Sequence, residues 1–153
     1  MTALAAVTLV SGGCAREQRP VRTVPTLRAA AETPAGREAL RLARDWSDDA
    51  WRACGPTLRT ALAERDRVRA MVDAARDEDE RVVTLQADAR DWIAGGDAQL
   101  AALRPRLEAG ACDGELTAAL GEVTQAYARA GTAATRALRL AGATTHPGGR
   151  HGR

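Results

Sequence analysis

Lysine, asparagine and phenylalanine are missing from this chain, and histidine occurs only twice, at His146 and His151 near the C-terminus. Arginine is therefore the sole strongly basic side chain. With alanine abundant as well, these gaps match the codon bias of a GC-rich genome, so the arginine content alone carries no functional message. The histidine distribution excludes more. Both imidazoles stand in the terminal stretch Thr-His-Pro-Gly-Gly-Arg-His-Gly-Arg, which leaves the body of the chain none to serve as general base, metal ligand or activator of a nucleophile. A Glu-x-x-His pair, a glycine-rich phosphate loop and a nucleophile elbow are also absent from the sequence. No apolar run approaches the roughly 20 residues that a transmembrane helix needs.

At 153 residues the chain is expected to form one small domain with a modest core. Its formal net charge of +2 hides an uneven distribution. Residues 15–44 hold seven Arg against three Glu, residues 45–122 hold ten Arg against seventeen Asp and Glu, and residues 123–153 hold five Arg and no acid. Basic flanks enclose an acidic body.

From Pro34 onward the spacing is helical. Thr33 is placed to cap a first helix, Pro34 suits its first position, and Ala39, Leu40, Ala43, Trp46, Ala50, Trp51 and Cys54 recur three and four apart. Gly55-Pro56 is expected to end that helix, because proline disfavours helical geometry in the residue before it and suits the start of the next helix. A second run, Thr57 to Ala94, carries Leu58, Leu62, Val68, Val72, Ala75, Val82, Leu85, Ala89, Trp92 and Ile93 on a drifting stripe. It reads as one long helix of about 57 Å at 1.5 Å per residue, with its weak point at Arg-Asp-Glu-Asp-Glu-Arg, residues 76–81. Gly95-Gly96 should stop it and Asp97 cap a third helix over 98–109, with Leu100, Leu103 and Leu107 inward and Pro105 kinking or shortening it. Asp113 is expected to cap the last helix, whose Leu116, Leu120, Val123, Tyr127, Ala130, Ala134, Ala137 and Ala141 share one face. Gly121 and Gly131 weaken that helix unless they serve close approach. The expected fold is all-α, an antiparallel helical bundle or long helical hairpin of about four helices over residues 34–142. A disordered basic tail, 143–153, is expected to follow.

The N-terminal segment differs in kind. Ala3 to Val10 is an apolar stretch of the length found in secretory signals, too short to span a bilayer, and small residues follow it. Ser11, Gly12, Gly13 and Cys14 then resemble the lipobox of bacterial lipoproteins, with Ser11 where leucine is usual. The resemblance covers this segment alone. It implies that residues 1–13 are a signal peptide that is removed, and that Cys14 becomes the lipidated first residue of the mature chain, palmitate or a similar acyl group replacing the discarded helix as anchor. Residues 14–33, with Pro20, Pro25 and scattered charge but no apolar period, read as a flexible tether.

If Cys14 carries lipid, Cys54 and Cys112 remain as an even pair in an oxidising compartment, which points to a disulfide. An unbroken second helix opposes that bond. It would leave Cys54 at its start and Cys112 after a shorter return, beyond the roughly 7 Å Cα limit. The sequence leaves both outcomes open: a disulfide with a bent helix, or two separate buried thiols. Trp46, Trp51 and Trp92 are candidates for contact with a ligand or partner, since aromatic platforms bind sugars, bases and peptides. The stronger reading is that they supply bulk to an alanine-rich core. Asp77, Glu78, Asp79 and Glu80 lack the alternating ligands and central glycine of a calcium loop and read as a solvated face. No metal site and no cofactor is expected.

These readings lead to a non-enzymatic lipoprotein, anchored through Cys14 in the cell membrane or envelope on its extracytoplasmic side. Its helical module would face an envelope protein partner or the envelope itself, with no nucleic acid expected. Two alternatives stay open. One is a soluble cytoplasmic, coiled-coil-like helical protein that assembles with a protein through its long second helix, its Arg-rich flanks touching nucleic acid or another acidic partner. The other is a carrier holding a small hydrophobic ligand near the tryptophans.

Overall fold

A computed structural model of the chain describes residues 31–75, 77–110 and 112–144. The segment expected to be a signal peptide, Cys14, the part of the expected tether before residue 31 and residues 145–153 of the expected tail lie outside the described residues. Four helices pack together, α1 (Pro34–Leu42), α2 (Asp48–Ala74), α3 (Glu80–Glu108) and α4 (Gly114–Thr144), and the described residues contain no strand.

The helix starts follow from local chemistry. Thr33 holds extended backbone and accepts the amide of Gly36 at 3.0 Å, with Pro34 at the first helical position. Asp113 accepts the amide of Leu116 at 2.8 Å and so caps α4. Between α1 and α2 the chain turns earlier than the sequence suggests. α1 stops at Leu42, the Trp46 amide bonds the Ala43 carbonyl, and Ser47 accepts the Ala50 amide at 3.2 Å to begin α2.

Gly55-Pro56, expected to end the first helix, lies inside α2 instead. Gly55 has no Cβ to meet the proline ring, which removes part of the usual penalty. It is also covered: a Cβ there would stand 2.7 Å from Trp51 Cδ2, so the indole rests on the bare backbone. Pro56 itself is exposed, and the carbonyl that it leaves without an N–H partner belongs to the exposed Arg52.

The long helix expected over 57–94 is two helices, and the break falls in the stretch 76–81. Asp77 accepts the Asp79 amide at 3.0 Å, and Asp79 accepts the Arg81 amide at 2.8 Å to cap α3. From α3 the buried Gln86 reaches back, its amide donating to the carbonyls of Val72 at 3.1 Å and of Ala75, and so satisfies acceptors that the end of α2 leaves open. A second correction follows downstream. Gly95-Gly96 does not stop the chain, because α3 continues through it to Glu108. Gly96 is buried against Tyr127, whose Cε1 lies 2.6 Å from where a Cβ would be. Asp97 is therefore mid-helix and caps nothing. Pro105 falls in the last turn of α3, after which Gly110 takes a left-handed φ of 73°.

α2 and α3 form an antiparallel hairpin, and α4 lies along both. α4 runs antiparallel to α3, with Trp92 beside Arg129, Asp97 beside Tyr127 and Arg106 beside Asp113. It runs parallel to α2, since Cys54 meets Thr117 and Val68 meets Gly131. α1 packs on α2 and α3. The stripe read on the last helix, Leu116 to Ala141, is buried throughout. Its side chains taper from Leu116, Leu120, Val123 and Tyr127 to four alanines, so the core is thick near the α3–α4 loop and thin near the α2–α3 turn. Each large apolar side chain buried there contributes about 1.5–3 kcal/mol.

The two neighbouring glycines of α3 should respond oppositely to alanine. Gly95→Ala meets nothing within 4 Å and should stabilise by about 0.5–1 kcal/mol through helix propensity alone. Gly96→Ala must displace the buried Tyr127 ring and should destabilise by about 1–3 kcal/mol, both read from urea denaturation.

Candidate functional site

Two groupings of side chains stand out, one at the α3–α4 end of the bundle and one at its middle. At the end, the hairpin break brings Cys112 level with Cys54. α2 spans 27 residues and α3 spans 29, so a descent of about 40 Å is matched by a return of nearly equal length. The two cysteines form a disulfide with Cα atoms 6.1 Å apart, closing a separation of 58 residues. Cys54 is fully buried and Cys112 half-buried.

The same end holds two of the three tryptophans. Trp46 is buried, its indole N–H donates to the Leu107 carbonyl, and it meets Trp51 edge to face with centroids 6.3 Å apart. Trp51, half-buried, covers Gly55. Trp92 is not with them. It stands 42% exposed on α3, against the expectation of a core residue, with the Arg129 guanidinium 4.9 Å above its ring.

At the middle, a polar layer ties the helices to one another. Asp97 of α3 accepts the Tyr127 hydroxyl of α4 at 2.8 Å and pairs with Arg69 of α2. One carboxylate thus joins three helices. Burial, then the hydrogen bond to Asp97, holds the Tyr127 hydroxyl well above the ordinary tyrosine range. Beside it, Arg65 of α2 grips Glu38 of α1 through two bonds of 3.1 and 2.6 Å and also meets Asp66 at 2.9 Å. The Arg65 hydrogen bond lowers the Glu38 carboxyl below its usual range, burial opposing it. Among the described residues no buried side-chain nitrogen or oxygen lacks a partner, so the layer is satisfied within itself.

The acidic stretch forms the α2–α3 turn. The side chain and then the backbone amide of Arg81 lower Asp79 to about 2. Next to it lies an open cleft of about 590 Å³ lined by Val72, Asp73, Asp77, Glu78, Gln86 and Arg90. Its carboxylates suit neither a hydrophobic ligand nor an anion. Among the described residues no three His, Cys, Asp or Glu side chains are grouped to hold a metal ion. Cys14, His146 and His151 lie outside the described residues.

The sequence reading missed Gln86, Asp97 and Arg129 as partners. Gln86 looked like one more polar residue of a continuous helix, and Asp97 stood after two glycines, where a cap is the natural reading. Arg129 did carry a signal, the absence of acid after Glu122. Comparison with known protein families, with characterised proteins and with solved structures finds no match for this chain.

Cutting the Cys54–Cys112 bond by Cys112→Ala should cost about 4 kcal/mol on the chain-entropy account of a loop this long, measured as a shift of the urea midpoint that a reducing agent reproduces in the parent. The Tyr127 hydroxyl gives a pH prediction. An unfolded chain releases its proton near 10.0 and the folded one does not, so the unfolded state binds fewer protons and stability falls as pH rises above about 10. Tyr127→Phe should lose about 1 kcal/mol at neutral pH and flatten that alkaline slope.

Proposed function

We propose that this protein is a bacterial envelope lipoprotein. In this reading Cys14 holds it to the membrane, residues 15–33 form the tether, and the four-helix domain is a non-catalytic interaction module on the extracytoplasmic side. The observation that carries this reading is how the three cysteines divide. Cys54 and Cys112 are bonded to each other, which leaves Cys14 as the single remaining thiol, at the lipobox-like position. Disulfides persist in oxidising compartments, and a lipobox acts only on exported chains. The two features support each other.

Attachment in this reading comes from acyl chains, each buried methylene contributing about 0.8 kcal/mol. Among the described residues no helix is long and apolar enough to cross a membrane. The ligand-carrier alternative has less behind it. Trp46 and Trp51 pack on the protein itself, and the cleft beside the α2–α3 turn is lined by carboxylates.

Intact mass of the protein extracted from native membranes is the test. The expected species starts at an acylated Cys14 and gains about two hydrogens on reduction of the single disulfide. Cys14→Ser should prevent acylation and move the protein out of the mature membrane-bound pool. An unmodified chain starting at Met1 or Thr2 in the soluble fraction would overturn the reading.

A further inference from the structure

α4 packs its alanine stripe against α2 and α3 and turns its other face to solvent, and from residue 123 onward that helix carries no acid. Arg129, Arg136 and Arg139 all lie on the solvent face and are exposed. Spacings of seven and three residues put them along one line of about 15 Å. Between and beside them stand Gln125, Ala128 and Thr132, which are exposed and uncharged. Among the described residues none of the three arginines is in an ion pair, whereas Arg65, Arg67, Arg69, Arg81 and Arg106 all are. In the acidic body Arg65, Arg69 and Arg106 tie one element to another, while Arg59 and Arg90 are in no ion pair among the described residues. Of the three on α4 only Arg129 reaches another helix, over the Trp92 ring, and Arg136 and Arg139 reach none.

Next to this line is Trp92, the large aromatic side chain that the core leaves exposed, with Arg129 over its face. Leu85, seven residues earlier on α3, and Leu140 of α4 are half-buried, and the spacing puts both on the same seam. Asp88 and Asp91 flank Trp92 on α3 and are exposed, so attraction for an anionic surface comes from α4. An indole at the edge of a basic face is the arrangement that suits the boundary between headgroups and acyl chains, where the ring sits among headgroups and the guanidinium meets phosphate.

We propose that the solvent face of α4, with Trp92 at its edge, docks on an anionic lipid surface and lays the domain against the membrane. The proposal rests on the lipoprotein reading, because three arginines and one indole bind a surface weakly unless a tether already confines them near it. Each arginine near such a surface contributes about a fivefold gain in binding. The anchor then sets where the domain is, and α4 sets which way it faces.

The test uses the mature chain, residues 14–153, with Cys14→Ser so that no acyl group contributes. All described residues are retained in it. It is mixed with vesicles of phosphatidylglycerol and phosphatidylcholine, and separately with vesicles of phosphatidylcholine alone. Binding to the anionic vesicles only is expected, weakening as salt rises, with a blue shift of tryptophan emission that Trp92→Leu abolishes. The double variant Arg136→Gln, Arg139→Gln should bind about thirtyfold more weakly while keeping the parent's helical circular dichroism, since neither side chain takes part in packing. Equal binding to both vesicle types, no binding to either, or full binding by the double variant would overturn the proposal. So would equal affinity for a single-stranded DNA oligonucleotide, which would make α4 a general polyanion face. The mass measurement reads acylation separately, so an acylated Cys14 with no vesicle binding removes this inference and leaves the lipoprotein reading standing.

Discussion

Every long helix of the fold leans on α4, and what α4 offers them is a buried face that shrinks along its length. Leu116 and Leu120 are followed by Val123 and Tyr127, and then by Ala130, Ala134, Ala137 and Ala141. At the broad end the core must be wide, and the tryptophan pair and the disulfide occupy it. At the narrow end the helices must come close, and the small cluster of Ala75, Val82, Ala137 and Ala141 is what remains between them. Tyr127 stands at the change of width. Its ring fits only because Gly96 has no side chain, and its hydroxyl, too deep for water, is met by Asp97 one residue further on. A close approach and a hydrogen bond thus fix the register of α3 on α4 at one point. The disulfide fixes the α3–α4 loop to α2 at another, and together they leave little freedom to slide.

That geometry explains which parts of the fold the sequence made legible. Periodicity read eight buried positions of α4 correctly, because a helix packed on two neighbours keeps one unbroken apolar stripe, and passed over Ala126 beside them. The start of α1 was equally clear from Thr33 and Pro34, whose roles need nothing beyond their own turn. Punctuation was misleading in both directions. Gly55-Pro56 and Gly95-Gly96 look like ends, yet each contains a glycine that a ring covers, Trp51 in one case and Tyr127 in the other. A glycine required for close packing and a glycine required for a turn are the same letter. The true reversal sits where no glycine or proline marks it. It is made by carboxylates accepting backbone amides and by Gln86 returning to the end of α2, a contact that becomes visible only once α3 has folded back. The disulfide was undecided for the same reason, since the pause of the apolar stripe at residues 76–81 marked a weak point but not that the chain reverses there.

The charges are sorted by the same fold. Several acids of the acidic body identified from composition stand at helix starts or in ion pairs: Asp79 and Asp113 cap, Asp66 holds Arg65 together with Glu38 of the preceding flank, and Asp97 joins three helices. Carboxylates used in this way offer little field to a distant partner, because each is already met by an amide or a guanidinium close at hand. The acid-free end of the chain behaves differently. Its described arginines, Arg129, Arg136 and Arg139, fall on the side of α4 away from the alanines, since a helix that must present its smallest residues inward has nowhere else to put its longest ones. Close packing at the narrow end therefore produces, as its other face, an exposed line of unpaired positive charge. If Cys14 anchors the chain, the tether leaves the domain's orientation undetermined, and the uncompensated face is the physical feature able to choose one.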